Sequence, residues 1–253
     1  MKYIIFALFL FIAQSALSQK LQVGPVISAT VARPSINDLE IALNNYGKWA
    51  PGLGGGVMVN FLASKNFSLS SEFLFQHQRK TVRGYDGFTY FRESLNFLKA
   101  PILFNYSHAI GHTKLNIMVG PAINYWLSGK GEALVPELLE SELDDGVQYQ
   151  INFEGGLTDN NFVVSDPNRW QLGLQMGIGA IFPIQYNYLK VDARFEWGHT
   201  NMAKQHSTYA PFVFYDISLD HSFNTCSLTC AYLFSFDLFE ITRKNKSVSD
   251  KKR

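Results

Sequence analysis

Four charged residues recur at every second position late in the chain: Lys190, Asp192, Arg194 and Glu196. A spacing of two places successive side chains on one face of a β-strand, so the four form a row of alternating charge. Such groups can pair with each other inside a protein, or can serve as proton donors and acceptors in an enzyme. The opposite face of the stretch is apolar, with Leu189, Val191, Ala193, Phe195 and Trp197.

An enzyme that modifies lipid would need a nucleophile and a histidine in a defined arrangement. His77, His199 and His206 lie near the ends of predicted strands or in loops, and Ser207 directly follows His206. The sequence around them contains no nucleophile elbow and no ordered triad. We therefore interpret these histidines as surface residues, and we predict no catalytic residue and no enzymatic activity.

Acidic residues and cysteines are the remaining candidates for metal or redox chemistry. Glu142, Asp144 and Asp145 belong to an acidic segment over residues 129–168, but they lack the D-x-D-x-D-G spacing of a calcium loop. Cys226 and Cys230 are four residues apart on a predicted strand, so their Cα atoms are roughly 13 Å apart, too far for a disulfide. We expect both cysteines to be small lipid-facing side chains, and we predict no metal site and no cofactor.

The strands that must position the charged row are clearest over residues 170–197. Residues 170–182 carry an apolar side chain at seven alternate positions, opposite glutamines and glycines. An apolar face of this length opposite a polar or glycine-rich face fits a wall with lipid outside and polar packing inside. Similar alternation predicts eight strands, at residues 21–31, 52–62, 67–79, 93–106, 114–128, 170–182, 189–197 and 223–236.

The connections between these strands alternate between long and short. This asymmetry is typical of an all-β, closed, antiparallel, up-and-down transmembrane β-barrel with long extracellular loops, short periplasmic turns and both termini in the periplasm. We predict eight strands, or ten if residues 148–164 pair as a full hairpin. Within the loops we expect a helical turn or two over residues 35–47 with Gly47 as the C-cap, a polar connection over 80–92, a short helix over 136–143, and strands over 148–153 and 212–219.

Aromatic residues near the predicted strand ends fit the girdles that a barrel places at the two membrane interfaces. The seven residues that we assign to these girdles are Tyr106, Tyr125, Trp126, Trp170, Tyr188, Trp197 and Phe236.

The N-terminus has the pattern of a secretory signal peptide. Lys2 precedes an apolar run over residues 3–13, and a small-x-small cleavage site follows at residues 16–18. The alternative of a transmembrane anchor needs about 20 apolar residues, more than this run supplies. No other stretch approaches 18 apolar residues, which excludes a helical membrane protein. We therefore divide the chain into a signal peptide (1–18), a barrel (19–238) and a basic periplasmic tail (239–253).

Several strands resemble those of one known family. Residues 96–103, N-F-L-K-A-P-I-L, resemble the "N-Y-L-E-I-P-L-L" strand of the outer-membrane β-barrel domain family often labelled porin-family or PorT-like. V-G-P-A at 119–122, G-I-G-A at 177–180 and V-D-A-R-F at 191–195 resemble its "A-G-P", "G-x-G" and "D-x-R-Y" segments. The resemblance covers about residues 20–238 and implies an eight-stranded barrel in the outer membrane of a Gram-negative bacterium. One branch of the family takes part in protein secretion.

Eight strands enclose an interior just wide enough for side chains, which argues against a solute pore. Buried charges need partners, so we predict a structural ion-pair network centred on Asp192, Arg194 and Glu196. Lys190, Glu72 and Lys99 belong to the same network. The full set of polar side chains predicted to point inward is Glu72, Gln76, Lys99, Asn105, Asn116, Asn124, Gln171, Gln175, Lys190, Asp192, Arg194 and Glu196.

These observations favour a non-enzymatic outer-membrane barrel with a structural or interaction role through its extracellular loops. The expected partners are outer-membrane lipid and proteins at the loops or the basic tail. The net charge of +1 gives no indication of a nucleic-acid partner, and we predict a monomer. Three alternatives remain: a small barrel enzyme that modifies lipid, an accessory component of a protein secretion system, and a soluble lipocalin-like barrel with an apolar interior.

Overall fold

The structure is a computed structural model, and it describes residues 20–36, 39–134, 147–153, 161–163, 167–202 and 221–237. Nearly all of these residues belong to β-strands. The elements in chain order are β1 (Lys20–Ile36), α1 (Leu39–Asn44), β2 (Asn45–Lys48), β3 (Ala50–Leu62), β4 (Phe67–Gly84), β5 (Tyr90–Ile110), β6 (Thr113–Leu134), β7 (Val147–Asn152), β8 (Asn161–Val163), β9 (Trp170–Ile184), β10 (Asn187–Gly198) and β11 (His221–Asp237).

Eight of these strands form a closed antiparallel ring, in the order β1, β3, β4, β5, β6, β9, β10 and β11. The ring closes because β11 pairs with β1 along almost its whole length. The predicted eight-stranded barrel is therefore confirmed. The ten-strand alternative is not realised, because β7 pairs with the far end of β6 and β8 runs parallel to β7 instead of completing a hairpin.

The two ends of the barrel differ in their connections, as predicted. At one end, the short-turn end, three connections of two to four residues (63–66, 111–112 and 185–186) join neighbouring strands. Gly111 and Gln185 have positive φ angles in the two-residue turns. The first residue of β1, Lys20, pairs with Asp237 at this same end. The other end, the long-strand end, carries α1, β2, β7 and β8.

Two local predictions about the long-strand end are wrong. Residues 80–92 are mostly strand, not a polar connection: β4 continues to Gly84, β5 begins at Tyr90, and a tight turn joins them. The strands continue because Lys80 and Glu93 are buried partners inside the barrel, so Lys80 is not a loop residue. Gly47 is not a helix C-cap, because α1 ends at Asn44. Gly47 lies in β2, where it pairs with Val82 of β4.

The predicted strand over residues 148–153 is confirmed as β7. Several other predictions lie outside the described residues. These are the signal peptide, the helix over 136–143, the strand over 212–219, the basic tail, and the side chains of Glu142, Asp144, Asp145, His206 and Ser207.

The outward face of the ring is apolar and the inward face is largely polar. Phe73 and Ile178 each expose 65% of their surface on the outward face, whereas Asp192 on the inward face is fully buried. The lipocalin-like alternative is wrong, since it requires the opposite polarity. Cys226 and Cys230 are free and lie on the outward face. None of the helices among the described residues has the length and apolar character needed to cross a bilayer.

Two of the aromatic residues predicted for the girdles point inward instead. Trp126 is completely buried, because it has the same strand parity as the inward Asn124. Tyr188 shares the parity of Lys190 and packs against a buried cluster near the short-turn end. The other five aromatic residues lie on the outward face: Tyr106, Tyr125, Trp170, Trp197 and Phe236.

Candidate functional site

The barrel interior holds the predicted charged residues, and the structure places all six of them there. Glu72 comes from β4, Lys99 from β5, and the other four from alternate positions of β10. Because β4 and β10 lie on opposite sides of the ring, charged side chains reach each other across the interior.

Arg194 is the centre of the first group of ion pairs. Its Nη2 atom donates hydrogen bonds to Glu72 Oε1 and to Asp192 Oδ2, each at 2.6 Å. Lys190 Nζ lies 3.3 Å from the same Asp192 oxygen and 3.4 Å from Asn105 Oδ1. Two carboxylates and two cations are thus enclosed together, which keeps the group neutral.

Lys99 and Glu196 form a second ion pair closer to the long-strand end. Lys99 Nζ lies 2.8 Å from Glu196 Oε2, and Asn124 Nδ2 donates to the other Glu196 oxygen at 2.7 Å. The six predicted charged residues therefore include three acids and three bases. A charge that loses its partner in an enclosed interior is costly, so the equal numbers of acids and bases favour a stable packing.

The remaining predicted inward side chains are also buried. Gln76 donates to Thr30 Oγ1 at 2.9 Å, and Asn105 donates to Ser70 Oγ at 2.9 Å. The space beside the Lys99–Glu196 pair has a volume of about 30 Å³, which is room for about one water molecule. The other predicted members, Asn116, Gln171 and Gln175, are buried as well.

A further buried ion pair was not expected from the sequence. Lys80 Nζ lies 2.7 Å from Glu93 Oε2, and the Tyr149 hydroxyl donates to the other Glu93 oxygen at 2.7 Å. Both charged side chains are completely buried. The signal was present in the sequence, because Lys80 continues the inward parity of Gln76 and Gln78 in β4.

On the side of the interior formed by β5, β6 and β7, an apolar cluster lies next to the Lys99–Glu196 pair. Trp126 follows Asn124 at the next inward position of β6, and its indole Nε1 donates to the Ser128 carbonyl at 3.1 Å. β7 adds Tyr149 and Ile151 to the same cluster. We call this group the apolar cap; it consists of Leu95, Phe97, Trp126, Tyr149, Ile151 and Met202.

His77 and His199, the two candidate histidines within the described residues, are not brought together. His77 lies on the outward face of β4, where its Nδ1 is 2.9 Å from Asn96 Oδ1. His199 follows β10 on the other side of the ring, and its backbone N–H donates to the Leu172 carbonyl. Within the described ranges, no three His, Cys, Asp or Glu side chains are grouped as a metal site would require.

Comparison with known proteins places these features in context. The family model of the outer membrane protein beta-barrel domain matches residues 12–204. No curated protein matches the chain in sequence.

Solved structures to which this chain is similar include several outer-membrane proteins. The outer membrane protein OprG from Pseudomonas aeruginosa is 7% identical, with a TM-score of 0.45, covering 87% of this chain and 96% of that one. A major outer membrane protein from Thermus thermophilus is 14% identical, with a TM-score of 0.43 and coverage of 84% and 99%. The outer membrane protease OmpT from Escherichia coli is 10% identical, with a TM-score of 0.35 and coverage of 87% and 96%.

Proposed function

Because the chain belongs to the outer membrane protein beta-barrel domain family, we propose that it is a non-enzymatic barrel with a structural or interaction role, exerted through its long-strand end. The main observation in support of this proposal is that side chains fill the barrel interior. The Arg194 and Glu196 groups occupy the centre of the barrel, and the apolar cap follows them toward the long-strand end. Because side chains fill the interior, we expect partners to bind at the outside of the molecule.

The filled interior argues against transport of solutes. A pore would need a continuous open path, but side chains fill the interior, among them Trp126 and Leu95, which are fully buried in the apolar cap. The spaces near the Lys99–Glu196 pair and near Tyr188 have volumes of about 30 Å³, which is room for about one water molecule each. Hydrated ions passing through would have to displace paired charges.

The orientation in the membrane follows from the two ends of the barrel. Outer-membrane barrels have short periplasmic turns and longer extracellular loops. The short-turn end, with Lys20 and Asp237, then faces the periplasm together with the tail over residues 239–253. The long-strand end, with the turn between β4 and β5, reaches the exterior and supplies the surface for partners.

The test has two readouts on the full chain. We expect the protein in the outer-membrane fraction, with a gel mobility that changes on heating because the closed barrel resists detergent until heated. In planar bilayers we expect no discrete conductance steps. A soluble protein without a mobility shift would overturn the barrel in the membrane, and regular conductance steps would overturn the closed interior.

A deletion strain separates this role from the two alternatives. We expect the lipid composition and the set of exported proteins to be the same with and without the protein. Loss of exported proteins would favour an accessory role in secretion. A lipid change that depends on His77 or His199 would favour the enzyme, and a His77→Gln variant compared with a Gln76→Asn variant would identify the histidine specifically.

A further inference from the structure

The outward face of β4, β5 and β6 changes in character toward the long-strand end. Strand register places Phe75, Leu98 and Tyr125 in one cross-strand row. This row is apolar, and Phe75 and Leu98 are exposed there, as expected for side chains in contact with lipid tails.

The next outward row is polar and internally hydrogen-bonded. It consists of His77, Asn96 and Ser128, which are cross-strand partners. His77 Nδ1 lies 2.9 Å from Asn96 Oδ1, and Asn96 Nδ2 donates to Ser128 Oγ at 3.0 Å. Since polar side chains replace apolar ones here, this row marks the upper edge of the lipid-facing band.

Above that edge the outward face becomes cationic. Arg79 and Lys130 occupy the next row, on either side of Ser94, and Arg92 lies one row further on. Arg83 follows, and Lys48 of β2 pairs with Thr81 beside them. We call Lys48, Arg79, Arg83, Arg92 and Lys130 the cationic patch.

The patch has little negative charge to balance it. Among the described outward residues of β2, β4, β5 and β6 above the polar row, one is acidic: Glu132, which accepts a hydrogen bond from the Tyr90 hydroxyl at 2.7 Å. In the part of the chain that the structure describes, none of the five cations forms an ion pair. Arg79, Arg92 and Lys130 are exposed.

The lower edge of the patch, at Arg79, lies at the height of lipid headgroups. Arg79 lies four residues beyond Phe75 on β4, or about 13 Å along the strand. With a strand tilt of about 40°, the vertical rise is roughly 10 Å. Headgroup regions extend about 5–8 Å beyond the hydrocarbon core on each side, and Arg and Lys side chains can reach back to that level.

We propose that the cationic patch binds the phosphate groups of an anionic lipid headgroup in the outer leaflet. The inference rests on the proposed orientation of the barrel, with the long-strand end outside. The planar guanidinium groups of Arg79, Arg83 and Arg92 match the geometry of phosphate oxygens. A lipid is the occupant because one polar row alone separates the patch from the lipid-facing wall, so the tails and the headgroup of one molecule can contact matching surfaces.

The experiment compares two charge-matched variants of the full chain reconstituted in phosphatidylcholine vesicles. One is R79Q/R92Q, in the patch; the other is K20Q/K65Q, which removes two exposed cations at the short-turn end. The probe is diphosphoryl lipid A, with the same glycolipid lacking its phosphates as reference, and bound lipid is counted by native mass spectrometry. We expect preferential binding of the phosphorylated form, about tenfold or more weaker in R79Q/R92Q and unchanged in K20Q/K65Q.

Four outcomes would overturn the proposal. The first is equal binding of the lipid by R79Q/R92Q and by the unaltered protein. The second is a loss of binding in K20Q/K65Q as large as that in R79Q/R92Q. The third is displacement of the lipid by millimolar inorganic phosphate, which would indicate a site for soluble anions. The fourth is binding that begins only after the acids Glu137, Glu140 and Glu142 are changed to Gln, which would identify the chain's own acidic segment as the occupant. The heat-dependent mobility shift tests the barrel separately, so failure of the lipid site is distinguishable from failure of the proposed function.

Discussion

Gly179 lies directly opposite Asp192 across the β9–β10 pair, and the absence of a side chain at Gly179 leaves the space that the Asp192 carboxylate fills. A Cβ atom at Gly179 would collide with Asp192 Oδ1 and would lie 2.8 Å from Asn116 Oδ1. Gly177 stands in the same relation to Arg194. The G-x-G segment of β9 therefore makes room for the charged row of β10.

The first prediction concerns the space at Gly179 that the Asp192 carboxylate fills. Gly179→Ala should destabilise the barrel by about 1–3 kcal/mol, because the added methyl group overpacks the interior and displaces the Asp192 carboxylate. Gly55→Ala is the matched control: its Cβ would have one neighbour, at 3.7 Å, an ordinary contact. Urea unfolding in lipid vesicles measures both. Equal stability of the two variants would contradict the assigned role of Gly179.

The second prediction concerns the ion pairs around Arg194. Arg194→Met should cost about 3–5 kcal/mol, since it leaves the Glu72 and Asp192 carboxylates enclosed without their shared cation. Neutralising Glu72 as well, in E72Q/R194M, should restore part of the lost stability, because Lys190 and Asp192 remain as a pair of opposite charge. The same unfolding assay gives both values. Arg33→Met, on an exposed outward cation, should change the stability by less than about 0.5 kcal/mol.

The barrel can be predicted from the sequence because a period of two fixes which side chains share a face. The polarity of the faces then follows from the apolar parity of residues 170–182, and the ring order follows from the alternating connections. The register cannot be predicted in the same way, since it depends on which residues of two strands meet. The pairing of Arg194 with Glu72, 122 residues earlier, is a result of ring closure.

The wrong predictions fall where residue type carries more weight than parity. The charge of Lys80 favours a loop, although this residue continues the inward face of β4. The position of Trp126 near a strand end favours the girdle, although its parity is inward. The register of the β5–β6 pair shifts between Asn96 and Phe97, next to the position where Phe97 pairs with Trp126. No residue pattern in the sequence indicates this shift.

The third prediction follows from the inward position of Trp126. The chain has four tryptophans, so a variant with Phe at Trp49, Trp170 and Trp197 reports on Trp126 alone. Its fluorescence should not be quenched by brominated lipids, because Trp126 is buried in the apolar cap. A variant that retains Trp170 alone should be strongly quenched, since that side chain is exposed on the outward face. Quenching of Trp126 to the same extent would show that it faces lipid.

The same residue gives a fourth prediction, on stability. Trp126→Ala should lower the free energy of unfolding by about 3–5 kcal/mol, as for other large side chains removed from a packed interior. Trp170→Ala is the control, because its ring contacts Tyr125 on the outward face, with a centroid distance of 4.7 Å. A loss for Trp126→Ala no larger than that for Trp170→Ala would contradict the packing of the apolar cap.

The final prediction concerns pH and the turn between β4 and β5, which projects from the long-strand end. The Thr89 hydroxyl donates to Asp86 Oδ2 at 2.6 Å, and the backbone N–H groups of Thr89 and Phe88 donate to Asp86 Oδ1 at 3.0 Å. These hydrogen bonds, that of the Thr89 hydroxyl first, hold the pKa of the Asp86 carboxyl below its usual range. They favour the ionised form, so the turn is stabilised above the unfolded pKa of about 4.

As the pH falls through the lowered pKa of folded Asp86, that stabilisation should be lost. Backbone amide chemical shifts of Phe88 and Thr89, followed by NMR from about pH 7 to about pH 2, should therefore titrate with a midpoint below about 4. Asp86→Asn keeps an acceptor for the two N–H groups but has no carboxyl to ionise, so its shifts should stay flat over the same range. A midpoint at or above the ordinary value for aspartate would show that the turn does not favour the charged carboxylate.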